Sequence, residues 1–272
     1  LGEYVSHLSP HTVTCYIITM AAAIWSATQN DILQFPAKNL LTFWRNHGLL
    51  SLTDRPAWQT VVGGSHAYVK AFARSFCGQV ALRSDIATIR RLDDHVVIVH
   101  RNGEEELFDK VVLAAHADEA LALLEQPTPD EQRLLGAWRY QENRTLLHTD
   151  ASFLPANRKA WASWNYYDRV DNRPDSPVPV TYHMNRLQGL KTIDDYFVTL
   201  NPDREPARGT LIRDILYHHP IFSEAAVATQ SELSTLQGRQ HTWFCGSYFG
   251  YGFHEDAVRS AVQMAELHGV SL

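Results

Sequence analysis

Cysteine is scarce and scattered. Cys15, Cys77 and Cys245 are the three in 272 residues, odd in number and without a C-x-x-C pair. That argues against a disulfide framework and a structural zinc site, and for a reduced, cytoplasmic setting. Long apolar runs are missing too. The richest stretch, Cys15 to Trp25, falls well short of the ~18 residues needed to span a bilayer and reads as a buried helix. No excess of positive charge exists. Lys and Arg total 24 against 30 Asp and Glu, a formal charge of −6, so no basic stripe is present to take nucleic acid. The 14 histidines never assemble a ligand pattern. His7 and His11 stand at i, i+4 without a third ligand, and His218 and His219 adjoin Pro220, so no metal is expected. The G-x-S-x-G elbow of hydrolases is absent.

What is present is ordinary globular material, with hydrophobic residues at 45% and charged residues at 20%, enough to bury a large core. Leu1 to Leu50 reads as helical, including Met20 to Trp25 and Asn39 to His47, which Gly48 stops. Asp54-Arg-Pro56 breaks the pattern, and Trp58 to Val62 reads as a short strand. Gly63-Gly64 follows, then Ser65 as N-cap and a helix over Ala67 to Phe76. Val80 to Ala87 is expected to be extended. A hairpin pairs Ile89 to Leu92 with His95 to His100 across Asp93-Asp94, and Asn102-Gly103 marks another turn.

Phe108 to Ala115 reads as one strand buried on both faces. A helix over Glu119 to Leu124 opens at Asp118, and Pro127 and Pro129 end it. Thr145 to His148, Trp161 to Tyr166, Val178 to Met184 and Tyr196 to Leu200 form an antiparallel sheet, with Asp171 to Pro177 as a surface loop. Thr242 to Cys245 is a strand and Ala257 to His268 the final helix. No internal repeat or low-complexity tract appears.

The stretch from Thr242 to Ala265 carries the most chemistry: a strand, a loop with Gly246, Gly250 and Gly252, then an amphipathic helix. Glycines permit close backbone approach, and a helix start offers free N–H groups and partial positive charge to an anion. The same arrangement also occurs as an ordinary βα turn. Gly252, Glu255, Ala257 and Ser260, with Gly246 at the strand end, resemble the carboxyl-terminal FAD motif of flavin amine oxidases, G-x-x-E-G-A-x-x-S-G. Asp256 and Ala261 stand where that motif has Gly. The longer run Phe244 to Asp256 is similar to a bacterial subgroup of amine-oxidase-like proteins. The likeness extends to Ala23–Ser26, Phe43–Leu50, Thr60–Tyr68, Val111–His116, Leu147–Asp150, Trp161–Tyr166 and Thr181–Gln188.

That resemblance implies an α/β fold: a partial FAD-binding, Rossmann-like domain interleaved with an α+β substrate domain built on an antiparallel sheet. Its boundaries would be 1–58 and 126–232 for the substrate domain, and 59–125 and 233–272 for the FAD domain. It implies FAD as cofactor. Ile86, Ala115 and His116 would lie on the ADP half, and Gly246, Ser247, Gly252, Phe253, His254, Glu255 and Asp256 on the pyrophosphate and flavin. The amino-terminal G-x-G-x-x-G element of such proteins is nowhere in the 272 residues. With Leu1 inside what reads as a helix, the sequence is expected to be the carboxyl-terminal portion of a longer chain.

The implied activity is hydride transfer from a substrate C–H to flavin N5, with a lipid, fatty-acyl or polyene dehydrogenase or isomerase and a non-catalytic fragment as alternatives. The substrate would be a small molecule or a lipid, and no catalytic acid or base can be assigned. Tyr248 and Tyr251 would face it. Trp161 and Trp164 either wall its cavity or belong to a plain core; in a regular strand Trp161 and Tyr167 share one face, Trp164 and Tyr166 the other. His254 reads equally as a cofactor hydrogen-bond donor or a helix cap. His116 and His148 read as satisfied structural histidines, and Cys245 as a core thiol.

Overall fold

The computed structural model describes residues 1–51, 53, 56–167 and 175–270. Asp54 and Arg55 of the expected break, and most of the Asp171 to Pro177 loop, lie outside them. After a π-helical turn at Val13–Ile18, helices α1 (Thr19–Trp25), α2 (Gln29–Gln34), α3 (Ala37–Asn46) and α4 (His66–Ser75) follow. Next come β1 (Ile86–Arg91), β2 (Val96–His100), β3 (Glu105–Phe108) and β4 (Val111–Leu113), then α5 (Ala117–Leu123) and α6 (Pro129–Leu135). The middle holds β5 (Tyr140–His148), β6 (Trp164–Tyr166), β7 (Val180–His183), α7 (Met184–Gln188), β8 (Phe197–Leu200) and β9 (Leu211–Pro220). Helix α8 (Glu224–Thr229), β10 (Thr242–Phe244) and α9 (His254–Glu266) complete the described order.

The chain divides into two compact units, each made of two segments. One comprises Leu1–Gln79 and Gln141–His219, the other Val80–Tyr140 and Pro220–Leu272. These junctions differ from the expected 58, 125 and 232.

In the first unit, α1 to α3 bury Ala21, Ala22, Trp25, Ile32, Leu40 and Phe43. Trp25 meets Phe35 at 4.7 Å and Phe43 at 4.9 Å between centroids, typical aromatic packing distances. The five-stranded sheet runs β6-β7-β8-β5-β9. One face is shut by Phe153, Leu154, Trp161 and Phe197, with Tyr167 against them. It also holds a buried polar chain: His148 Nε2 to Thr199 Oγ1 at 2.8 Å, and Thr199 to Thr181 Oγ1 at 2.8 Å. The Asp150 N–H donates to His148 Nδ1 at 3.2 Å. Burial holds the His148 imidazole below its ordinary range, consistent with a neutral ring donating through Nε2.

Several sequence expectations change here. Trp58 to Val62 forms no strand and lies exposed, because no neighbouring strand offers it a ladder. Ser65 precedes α4 but its side chain makes no cap bond. Residues 80–85 are irregular, with Arg83 and Asp85 at positive φ. Phe108 to Ala115 is two strands in two sheets: β3 pairs antiparallel with β2, and β4 parallel with β10. Val112 of β4 is 42% exposed, so that strand is not buried on both faces. Pro129 begins a helix instead of ending one, since proline at the first helical position gives up only an N–H that would be orphaned anyway. Strand β9 and helix α8 have no counterpart in the sequence reading; β9 is an edge strand exposed over most of its length, so it lacks alternation.

In the second unit, Trp138 anchors the core, fully buried, donating Nε1–H to Thr229 Oγ1 at 3.1 Å and meeting Phe222 edge-on at 5.3 Å. Thr128 and Glu131 form a reciprocal capping box at α6. The Glu131 carboxylate, 1% exposed, also takes two hydrogen bonds from Arg91 on β1, at 2.5 and 3.0 Å. Burial by itself would raise the Glu131 carboxyl. The Arg91 and Thr128 hydrogen bonds outweigh it and hold the group below its ordinary 4.5.

A depressed carboxyl contributes stability that is complete above its unfolded value and lost as pH falls through the folded one. Glu131→Ala should therefore cost about 3–5 kcal/mol in urea unfolding at pH 7, because Arg91 is left buried and unpaired. Glu131→Gln should flatten the acid limb of the stability–pH curve; an unchanged acid limb would show that the pair carries no such linkage.

Candidate cofactor-binding loop

The site starts from β10. Its residues Thr242, Trp243 and Phe244 pair parallel with Val111, Val112 and Leu113 of β4, and the Cys245 N–H continues the ladder to the Leu113 carbonyl at 3.1 Å. Both strands therefore end together, bringing Ala115 beside Gly246: a Cβ at Gly246 would lie 3.5 Å from the Ala115 carbonyl oxygen and 2.6 Å from the Tyr248 ring. Only glycine fits there. Gly252 has φ +94°, a left-handed conformation that glycine takes without strain.

The loop is held from inside by three polar side chains. Ser260 Oγ accepts from the Gly246 N–H at 2.9 Å and donates to the Ala257 carbonyl at 2.8 Å. Gln230 Nε2 donates to the carbonyls of Tyr248 and Gly250 at 3.0 and 2.5 Å. Asp256, 5% exposed, accepts from the Phe253 N–H at 3.1 Å and from Arg259 Nη2 at 2.5 Å. Gly250 backs directly on this carboxylate, leaving no room for a Cβ.

This alters the expected set of donors. Of the main-chain N–H groups expected at a cofactor, that of Gly246 is taken by Ser260, that of Gly252 by the Ser247 carbonyl at 3.2 Å, and that of Phe253 by Asp256. Asp256 turns its carboxylate into the protein. Among the described residues, the N–H groups of Ser247, His254 and Glu255 have no acceptor. His254 and Glu255 are exposed and open α9, so helix and loop together offer uncapped donors with partial positive charge.

The remaining expected residues fall as follows. His116 is 40% exposed at its side chain and stacks on Tyr140 at 4.3 Å and 15°, while the Tyr140 hydroxyl accepts from the Ala117 N–H at 3.0 Å. Burial pushes the Tyr140 phenol up to about 12. Tyr248 is 1% exposed and packs on Trp138 and Phe249; its hydroxyl has no partner among the described residues, and burial raises its pKa. Tyr251 is partly exposed on the loop. Cys245 is buried, which raises its thiol.

Ile86 opens β1 opposite His100. A cavity of about 760 Å³ beside that strand start is lined by Leu82, Arg83, Asp85, His100 and Glu106 among others. Trp161 and Trp164 belong to the first unit: Trp161 lies in the closed core, whereas Trp164 is 37% exposed on the opposite sheet face. Among the described residues no group of three or more His, Cys, Asp or Glu is arranged to hold a metal, and no helix is long and apolar enough to cross a membrane. Gln230 and Tyr140 escaped the sequence reading, since nothing local in the sequence ties either to the loop.

No family model and no curated protein matches the sequence. Solved structures do match in fold. A fatty acid isomerase from P. acnes that produces CLA superposes with a TM-score of 0.68 at 15% identity, covering 98% of this chain and 66% of that one. Reduced UDP-galactopyranose mutase gives 0.60 at 11% identity, with 98% and 67% coverage. A putrescine oxidase bound to putrescine gives 0.52 at 10% identity, with 77% and 54% coverage. The chain thus spans 66% of the isomerase's length.

Ser260→Ala would leave the Gly246 N–H unpaired in a half-buried turn and should destabilise the chain by about 1–3 kcal/mol. Gly250→Ala, which drives a methyl onto a buried carboxylate, should cost a similar amount. Urea unfolding monitored by tryptophan fluorescence measures both; a loss under ~0.5 kcal/mol in each would mean the loop is not braced in this way.

Proposed function

We propose that the chain is part of a flavin-dependent oxidoreductase and that the loop from Gly246 to the start of α9 holds the flavin end of FAD. The observation that carries this reading is the trio of acceptor-free N–H groups at Ser247, His254 and Glu255, at the end of two parallel strands and the start of a helix of 13 residues. Such donors suit a pyrophosphate or the carbonyl edge of a flavin. Neighbours of the same fold include an oxidase, an isomerase and a mutase, in keeping with the motif resemblance. The residues present fit the group. Ala115 and His116 follow the end of the adjoining strand, on the side proposed for the ADP portion, and Ile86 is assigned to the adenine. A dinucleotide-binding βαβ element, whose G-x-G-x-x-G motif is not found in these 272 residues, would complete the pyrophosphate site.

Bound FAD would supply a hydride acceptor at N5. The chain's own part is to orient the ring with the His254 and Glu255 amides and to exclude water. A second reading of the substrate has its own support. Trp164, Tyr182, Val198 and Leu147 lie in register along one row of the sheet, with Trp58 edge-on to Trp164 at 6.3 Å. That row has no charged side chain, which favours an apolar chain or ring, as in a lipid, fatty-acyl or polyene dehydrogenase or isomerase, over an amine cation.

Removing one amide tests the cofactor assignment. His254 occupies the first position of α9 and follows Phe253 in extended conformation, with φ −110° and ψ 169°, so His254→Pro deletes the N–H with little harm to the helix. The expectation is FAD binding about 10–100-fold weaker, with an unchanged melting temperature, while His254→Ala binds as the parent does. Flavin absorbance and fluorescence after gel filtration report the binding. Absence of any uptake by the parent chain, even at high FAD, would favour a non-catalytic fragment.

A further inference from the structure

The start of α9 carries a buried anion of its own. Asp256 is the third residue of the helix, 5% exposed, and its carboxylate sits within the same turn as the uncapped amides of His254 and Glu255. It is fixed there by the Phe253 N–H at 3.1 Å and Arg259 at 2.5 Å, with Gly250 packed behind it. A helix start is equivalent to roughly half a positive charge, and a carboxylate within one turn offsets most of it. The Arg259 guanidinium cannot fully restore the field, because its side chain is 49% exposed and screened by solvent. The other charged group of this turn, Glu255, is exposed and screened in the same way.

We infer that Asp256 tunes the bound flavin: by cancelling the positive end of α9 it disfavours negative charge on the N1–C2 carbonyl edge of the ring. This rests on the reading that FAD lies against α9. Asp256 is a positioning and tuning residue, since its carboxylate faces the protein and touches no reacting atom.

Sulfite provides the probe. Its sulfur lone pair forms a bond to flavin N5, and the displaced electron pair of the ring settles on the N1–C2 carbonyl edge, so no further oxidant or reductant is required. With FAD-loaded protein, Asp256→Asn, which keeps an oxygen for the Phe253 N–H, should bind sulfite about tenfold more tightly. Arg259→Gln, which leaves the carboxylate without its partner, should bind it several-fold more weakly. Bleaching of the flavin band gives both dissociation constants, and melting of the unloaded variants reports any purely structural effect. A residue that only caps the helix would shift melting and leave sulfite affinity alone. Sulfite constants within twofold of the parent in both variants, with FAD retained, overturn the tuning role and leave the flavin reading intact. Failure of the parent chain to take up FAD overturns both.

Discussion

Everything assigned to the candidate site depends on a short parallel pairing. Three residues of β10 lie beside three of β4 although about 130 positions separate them in the sequence, a long-range contact whose loop-closure entropy must be offset by packing. The pairing brings two strand ends to one edge, so that Gly246 meets Ala115 and the chain must turn sharply into α9. Buried Phe244 and Leu113 on these strands secure it. Without that register the glycine-rich loop would be a surface connection with no wall beside it.

The loop itself is stiff by construction. Its carbonyls are tied by Gln230, and its amides by Ser260 and Asp256. Among the described residues, the N–H groups left without an acceptor include those of Ser247, His254 and Glu255. A preorganised donor set of this kind stabilises a bound anion or carbonyl without reorganisation during reaction. The glycines serve two ends: Gly246 and Gly250 let inner groups approach, while Gly252 supplies a left-handed turn.

A different economy governs the first unit. Its sheet closes one face with aromatic side chains and a chain of hydroxyl and imidazole hydrogen bonds, and leaves the row Trp164, Tyr182, Val198 and Leu147 on the other. Aromatic residues in and beside β6 divide between the two purposes. Trp161 and Tyr167, on either side of β6, go to the closed side, and Trp164 within it to the open one.

Local sequence determined the elements whose signals are short-range: the hairpin of β1 and β2, the strands β7 and β8, the strand–glycine loop–helix ending, the satisfied character of His148 and the burial of the Cys245 thiol. Tertiary structure alone decided the rest. Whether Phe108 to Ala115 was one strand or two depended on which sheets received it, and the absence of a strand at Trp58 to Val62 on the lack of a neighbour. Which loop amides and carbonyls are tied was equally non-local: Ser260 lies 14 residues from the Gly246 N–H it accepts, and Gln230 lies 20 from the Gly250 carbonyl it donates to. Hydrogen-bond partners are chosen by proximity in space, and a linear pattern carries that information only within a turn or two.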